Sequence, residues 1–320
     1  MNPSASRLTG LAILLVLQLG LALGLGLTQG HSGAFQSDTP LLAFNSAEVD
    51  QLLISDGDGK QVELRKQGDH WVLPKAENFP VSHDRVINLL GKLAALKTPW
   101  PVATTASAAA RFKVADDQFN RRVTLRAGDR VLAQLYFGTS PGYRKVNARV
   151  DGQDKIYSVN FGVFEVPAKT SAWEDKTLLS LNSADIEQLA LPEVTLVRKD
   201  DKFEVDPLND GEQTAASETQ TLVQRVAALT YTASAGKTAP AKADKEKPVF
   251  EFSVKLKSGE TRQYRFLPTD KADAYLLNVS TQPWWFRVSR YTLDNLKGET
   301  RGKLVKQQTE GTKQDSQQAG

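Results

Sequence analysis

The feature that most constrains this fold is a sequence pattern that occurs twice, about 137 residues apart. Residues 49–54 read V-D-Q-L-L-I, and residues 186–191 read I-E-Q-L-A-L. A second match follows, between VELRKQGDHWVL at 62–73 and VTLVRKDDKFEV at 194–205. Apolar and polar residues alternate in V-E-L-R at 62–65 and in V-K-L-K at 254–257, which predicts β-strands. A repeat of this length indicates two copies of one supersecondary unit.

Each copy continues with a helical pattern and then with further strands. Apolar residues recur at the spacing of one helix face in both copies. They are Val86, Leu89, Leu90, Leu93 and Leu96 in the first copy, and Leu222, Val223, Val226 and Leu229 in the second. Residues 122–137 then match 253–268, and residues 148–159 match 277–288. Each copy therefore reads as strands, a helix and more strands.

The repeat predicts an α+β fold, in which two tandem copies of a mainly antiparallel sheet plus helix unit form the body. The first copy spans 41–180 and the second spans 181–297. Ahead of them, residues 1–35 read as a membrane anchor or an uncleaved signal. Behind them, residues 298–320 are polar and charged, which predicts a disordered tail.

Residues 8–27 form an apolar run with no charged side chain and one strongly polar one, Gln18. At ~1.5 Å per residue, a helix of this length spans the hydrocarbon core of a bilayer, about 30 Å. Arg7 is the only charged residue before the run, so we expect the N-terminus in the cytoplasm and the body outside. A cleaved signal peptide is the alternative, with S-G-A at 32–34 as a small-x-small cleavage site.

The charge distribution argues against a nucleic-acid-binding protein. The formal net charge is +3, and the segments 237–247 and 297–320 each carry +2. The rest of the chain is close to neutral, so it offers no basic face for a phosphate backbone. The chain also has no cysteine, which excludes disulfides, thiolate metal sites and cysteine catalysis.

The sequence contains no recognisable catalytic or metal-binding pattern. His31, His70 and His83 share no helix or strand spacing, so they do not predict a metal site. No serine lies in a G-x-S-x-G context, and no glycine-rich phosphate motif follows a strand. S-D-G-D-G-K at 55–60 resembles the start of a calcium loop, but the later ligand positions hold Lys60 and a glutamine, so we interpret it as a turn. We therefore predict no catalytic residue, no metal site and no cofactor.

The adjacent pair Trp284 and Trp285 is the candidate binding feature. The pair lies in P-W-W-F at 283–286, and neighbouring residues of a strand point to opposite faces. We therefore expect one tryptophan to stand nearer to solvent than the other. One interpretation is a docking anchor for a partner or a glycan. The other is a thick core that neighbouring elements cover on both faces.

The order of these segments resembles that of a known family. A short membrane anchor precedes a V-x-x-L-x-I strand, a W-x-L strand and a helix with L-L-x-x-L-A-A-L spacing. A strand ending in Y-F-G at 136–138 follows, and Y-S-V at 157–159 precedes W-E-D-K-T-L-L at 173–179. From about residue 45 to about residue 295, the chain is in this way similar to the bacterial family called domain of unknown function 4340.

The resemblance implies a location and a class of partner. Members of this family are commonly encoded beside ABC-transporter subunits of the gliding-motility type. The resemblance therefore implies a non-enzymatic accessory protein, held in the bacterial inner membrane through 8–27, with its body in the periplasm and associated with an ABC transporter or envelope complex. The resemblance implies no catalytic residue for this chain. The alternatives are a periplasmic hydrolase or ligand-modifying enzyme, and a solute-binding protein that feeds a transporter.

Overall fold

The computed structural model describes Gln18 and residues 39–239, 246–271 and 273–307. The predicted anchor at 8–27 therefore lies outside the described residues, except for Gln18. Within the described part of the chain, no helix combines the length and apolar character that a membrane crossing requires. The membrane segment stays a sequence prediction.

The described chain divides into two compact units, neither of which is continuous with one half of the sequence. The first unit reaches Glu63 and also takes in Val86–Ala168. The second consists of Leu64–Arg85 together with the chain from Lys169 onward. A segment from the first half of the sequence therefore belongs to the second unit.

Nine strands form the first antiparallel sheet. They are β1 (Gln51–Asp56), β2 (Gln61–Gln67), β3 (His70–Leu73), β4 (Phe79–Pro80), β5 (Pro101–Ala103), β6 (Arg121–Ala127), β7 (Arg130–Phe137), β8 (Lys145–Val150) and β9 (Ile156–Asn160). Their order across the sheet is β4-β3-β2-β1-β6-β7-β8-β9-β5. In the central pair, Leu52 lies opposite Leu125 and Ile54 opposite Val123. These four side chains are buried, so cross-strand apolar pairs form the middle of the core.

The second antiparallel sheet has eight strands in a matching arrangement. They are β10 (Ile186–Ala190), β11 (Thr195–Lys199), β12 (Lys202–Asp206), β14 (Ala233–Ser234), β15 (Phe250–Leu256), β16 (Thr261–Pro268), β17 (Ala274–Val279) and β18 (Trp285–Ser289). Their order is β12-β11-β10-β15-β16-β17-β18-β14. Apart from the extra edge strand β4, the first sheet has the same order of corresponding strands.

Short helices complete the two units. They are α1 (His83–Ala94), α2 (Ala108–Phe112), α3 (Ala216–Ala227), α4 (Arg290–Lys297) and α5 (Arg301–Leu304). The apolar faces predicted for the two long helices are buried, from Val86 to Leu96 around α1 and from Leu222 to Leu229 around α3. The antiparallel sheets of the predicted α+β fold are therefore confirmed, and the described chain is rich in sheet and has few helices.

The prediction of a disordered tail from residue 298 is wrong for its first part. Helix α5 places Leu304 in the core, and the next strand, β19 (Val305–Gln307), pairs with β13 (Glu212–Thr214). The polar composition of this segment did not predict α5 and β19. They are held by one buried leucine and by three residue pairs between β19 and β13. Residues 308–320 lie outside the described residues.

The S-D-G-D-G-K stretch is the turn that the sequence predicts. The side-chain Oδ1 of Asp56 accepts hydrogen bonds from the backbone N–H groups of Asp58 (3.0 Å) and Lys60 (2.9 Å). Gly59 has a φ of +81°, which glycine adopts without steric cost. Asp56 thus holds the β1–β2 turn closed by satisfying backbone donors.

The segment that links the two sheets is held by strand-like contacts in the second unit. Glu174 forms a β-bridge with Val81, and the N–H of Ser82 donates to the carbonyl of Trp173 (3.0 Å). Trp173 is fully buried, and the Arg85 guanidinium lies 4.9 Å from the centre of its ring. The W-E-D-K motif is therefore anchored by both its backbone and its tryptophan.

Glu174 connects this segment to the edge of the second sheet. The residue is only 3% exposed. Its carboxylate accepts hydrogen bonds from the Ser234 N–H (3.0 Å), the Ser234 Oγ (2.9 Å) and the Lys176 Nζ (2.7 Å). A buried carboxylate is tolerated only with such partners, so this network fixes strand β14 against the linking segment.

We expect the substitution Glu174→Ala to lower the free energy of unfolding by about 3 kcal/mol, because the Ser234 donors and the Lys176 ammonium lose their buried acceptor. Urea unfolding of the full chain in mild detergent, followed by tryptophan fluorescence, measures this loss. Glu193→Ala is the matched control, since Glu193 is exposed in a turn and its loss should change stability by less than about 0.5 kcal/mol. Equal effects of the two substitutions would contradict the structural role of Glu174.

Candidate functional site

A groove of about 620 Å³ in the first unit is the main candidate site. One wall is the C-terminal end of α1 and the residues after it, up to Pro99. The other wall is the end of β9 and the 3₁₀ turn Val163–Glu165 that follows it. Arg144, from the β7–β8 loop, completes the lining.

The lining of the groove is positively charged. Three cationic side chains belong to it, Lys92, Lys97 and Arg144, against one carboxylate, Glu165. The lining therefore has a formal net charge of +2. Glu165 pairs with Lys92, whose side chain is about half exposed, so solvent screens that ion pair. A negatively charged ligand is favoured at such a surface.

Arg144 is presented to solvent by an unusual backbone conformation. Its φ is +52°, in the left-handed region that few non-glycine residues adopt. The Arg144 guanidinium lies 5.2 Å from the centre of the exposed Tyr143 ring, at a distance typical of a cation–π contact. This loop offers a planar cation and an aromatic ring side by side.

Phe164 supplies an exposed aromatic surface to the groove. The residue is 74% exposed, although phenylalanine is usually buried. A Cβ atom on Gly162 would lie 2.2 Å from the Phe164 ring, so the ring lies directly against the glycine backbone. The neighbouring Phe161 is instead 4% exposed and stacks on Phe137, with ring centres 4.7 Å apart. One loop thus has one phenylalanine in the core and one at the groove.

A second hollow, of about 530 Å³, lies beside Glu174 in the second unit. Glu174 lines this hollow, and Lys176 lies beside both Glu174 and the ring of Tyr231. The three side chains resemble an acid–base set. The Tyr231 hydroxyl donates to the carbonyl of Asp175 (2.6 Å), and the Lys176 Nζ donates to the Thr232 carbonyl (3.0 Å). The polar groups of this cluster thus form hydrogen bonds within the protein, and these bonds hold the linking segment in place.

Burial raises the pKa of the Tyr231 phenol well above its ordinary value, and the charges of Glu174 and Asp175 add to the shift. Because this pKa is raised in the folded state, the associated stability is fully present below the unfolded pKa, about 10. It is lost as the pH rises above that value.

We expect Tyr231→Phe to cost about 1 kcal/mol of stability at pH 7, because the hydrogen bond to Asp175 is lost. Between about pH 9 and pH 11, the unfolding free energy of the variant should fall less steeply than that of the wild type. Urea titrations at several pH values measure both effects. Tyr291→Phe is the control, since Tyr291 is exposed. A pH dependence unchanged by Tyr231→Phe would contradict the assignment.

The tryptophan pair of the sequence analysis lies in the second unit. Both Trp284 and Trp285 are half-buried. The Trp284 ring meets Phe79 edge-on, with ring centres 5.1 Å apart. Trp285 packs against the buried pair Leu267 and Leu276. Both tryptophans contribute to packing, and a contact with a partner stays a prediction.

The histidines do not come together as a site. His70 and His83 are exposed, and His31 lies outside the described residues. Among the residues that the structure describes, no three His, Cys, Asp or Glu side chains form a group that could hold a metal ion.

Sequence reasoning missed the groove because its residues come from separate segments. Lys92 lies in the last turn of α1 and Lys97 follows that helix, whereas Arg144 lies in a hairpin loop and Phe164 follows a strand. Only the fold brings these residues together. The one local signal is G-V-F-E at 162–165, where a phenylalanine stands in a short connection directly after a glycine and a valine.

Comparison with known proteins places the chain in a family. Residues 71–248, more than half of the chain, match the family model described as domain of unknown function (DUF4340). The chain therefore belongs to this family, as its motifs predicted. No curated protein and no solved structure matches the chain significantly.

We expect Phe164→Ala to change the free energy of unfolding by less than about 1 kcal/mol, because an exposed ring contributes little to the core. Phe161→Ala, in the same loop, should cost about 3–4 kcal/mol, since it leaves a cavity beside Phe137. Urea unfolding of both variants makes the comparison. Similar losses for the two substitutions would show that Phe164 is a packing residue and would remove it from the binding surface.

Proposed function

We propose that this protein is a non-enzymatic accessory module of an ABC transporter or a related envelope complex. In this proposal, residues 8–27 anchor the chain in the bacterial inner membrane, and the body lies in the periplasm. The body consists of two tandem copies of one sheet-and-helix unit, and the matching strand order of the two sheets supports this duplication. The module acts by binding a partner protein.

The groove of the first unit is the observation that carries the proposal. Its size suits a peptide segment or a small ligand. Its cationic side chains and the exposed Phe164 ring can be contacted without unfolding any element. Aromatic and arginine side chains of this kind are typical of binding surfaces. The groove therefore supports a binding role in preference to a purely structural one.

The position of the groove along the chain fits a partner at the membrane. The carbonyl of Thr39 accepts a hydrogen bond from the N–H of Thr98 (3.0 Å), so the continuous range from residue 39 starts beside the groove wall. The residues 28–38 separate Thr39 from the proposed anchor. At ~3.6 Å per residue their greatest reach is about 40 Å. A partner that extends a short way from the membrane can therefore reach the groove.

The proposal is tested by crosslinking in living cells, followed by affinity purification of the tagged full chain from membranes. We expect subunits of an ABC transporter or an envelope complex to be recovered with the wild type. Recovery should fall at least about tenfold with Lys97→Glu/Arg144→Glu, because the charge of the groove is reversed.

The matched control for this experiment is Lys60→Glu/Lys155→Glu. Both lysines are exposed in the first unit, and neither lines the groove. We expect the control to recover the same proteins as the wild type. If the wild type recovers no transporter or envelope protein in several detergents, the proposed function is wrong. If both double variants lose the partner equally, the groove is not its binding site.

A further inference from the structure

The edge of strand β9 is only partly covered within the described first unit. On one side, β9 pairs with β8 along its whole length, from Ile156 to Asn160. On the other side, the short edge strand β5 pairs only with Ile156 and Tyr157. The Pro101–Tyr157 pair is closed by the residues on either side, because Pro101 has no N–H, so the N–H of Ser158 faces Trp100. No strand of the described chain pairs with Val159 and Asn160 on this second side, which is the side of the groove.

The backbone of β8 shows which way the groups at this edge point. The N–H and the carbonyl of Asn147 bond to Thr139 and Gly138 in the β7–β8 loop (2.9 Å each). The N–H of Lys145 likewise bonds to Gly142 (3.2 Å). Both β8 residues thus turn their backbone groups away from β9.

In an antiparallel ladder, residues opposite each other either exchange both hydrogen bonds or direct both pairs of groups outward. Asn160 lies opposite Lys145, and Ser158 lies opposite Asn147. Because the β8 partners point away, the backbone groups of Ser158 and Asn160 also point away from β8. Those of Ser158 face Trp100 at the end of the β5 ladder, and those of Asn160 are directed toward the groove.

The opposite wall of the groove does not close this edge. The N–H of Thr98 donates to Thr39, and the carbonyl of Leu96 accepts from the N–H of Leu41 (2.7 Å). Pro99 has no N–H at all. The wall segment up to Pro99 is thus paired with the chain at 39–41 or lacks a donor.

The corresponding place in the second unit is filled by the chain itself. Tyr231 lies two residues before the edge strand β14, as Pro99 lies two residues before β5. Tyr231 is buried, its ring centre is 4.7 Å from that of Phe286, and its hydroxyl bonds to Asp175. The first unit has a proline and a groove at this position, so its edge is accessible in a way that the second edge is not.

We infer that the groove binds an extended, acidic peptide segment of a partner protein, which pairs with the end of β9 at Asn160 as an additional strand. The inference rests on the proposed function, because it specifies how that partner is recognised. Strand addition supplies backbone hydrogen bonds, and the neighbouring side chains supply specificity. Here the cations Lys97 and Arg144 select acidic side chains, and Phe164 contacts the apolar face of the segment.

The test begins with a displayed library of random 12-residue peptides, selected on the full chain in detergent micelles. We expect the selected peptides to be enriched in Asp and Glu with alternating apolar residues. A representative peptide is then synthesised, and its affinity is measured by fluorescence anisotropy. Lys97→Glu/Arg144→Glu should weaken its binding at least about tenfold, and Lys60→Glu/Lys155→Glu should leave it within about twofold.

A matched pair of substitutions isolates the backbone contact. Asn160→Pro removes the N–H that faces the groove, so we expect about tenfold weaker binding or more. Asn160→Ala removes the side chain but keeps the N–H, so it should retain binding within about twofold. Circular dichroism and thermal unfolding establish that both variants are folded.

A second measurement needs no change in the protein. N-methylation of alternate residues on one edge of the peptide should abolish binding, and N-methylation on the other edge should not, because an added strand bonds through one edge only.

Three results would overturn the inference. They are peptides without acidic enrichment, equal binding by the proline and alanine variants, and equal effects of methylation on both edges of the peptide. If crosslinking recovers a transporter partner while these tests fail, only strand addition is wrong. If the peptide tests succeed while crosslinking recovers no such partner, only the transporter association is wrong.

Discussion

The structure depends on one requirement of antiparallel sheets, that the backbone N–H and C=O groups of each strand find partners. The two sheets satisfy this requirement with the same order of strands. In each, a short strand, β5 or β14, lies beside the last long strand. Edge strands that stay open are sites at which another chain can pair. The shortness of β5, which reaches only two residues of β9, is therefore the feature from which the groove and its proposed function follow.

The two units differ at the position beside their edge strands, β5 and β14. In the second, the side chain of Tyr231 and the linking segment around Glu174 occupy the edge and are buried with full sets of hydrogen bonds. At this position, the second unit is therefore closed by its own packing and hydrogen bonds. In the first, a groove lies between β9 and the wall segment that ends at Pro99, and it is lined by cations and by Phe164. Within these units, a duplicated architecture would thus supply one structural copy and one binding copy.

The sequence predicted those elements whose pattern is local. Apolar residues at helical spacing identified α1 and α3, and period-two alternation identified the long strands. A further signal of the repeat was available, since N-S-A-E at 45–48 and N-S-A-D at 182–185 form the same 3₁₀ turn. In each, the asparagine side chain accepts from the N–H two residues later (3.1 Å).

The elements that the sequence did not predict depend on contacts between distant segments. Strand β19 forms because β13 lies beside it, and nothing in its own polar residues indicates a strand. The groove likewise combines Lys97, Arg144 and Asn160, which no spacing rule connects. The direction of the β9 backbone groups is set by hydrogen bonds of β8, and side-chain patterns carry no information about it.

Hydrogen exchange at β9, measured by NMR on the full chain, tests the central claim most directly. The N–H of Val159 points toward β8, and the N–H of Asn160 points toward the groove. We predict that the Asn160 amide exchanges at least about a hundredfold faster than the Val159 amide. A selected acidic peptide should slow Asn160 and leave Val159 unchanged. Equal protection of the two amides in the free protein would contradict the account, because it would mean that the edge is already paired.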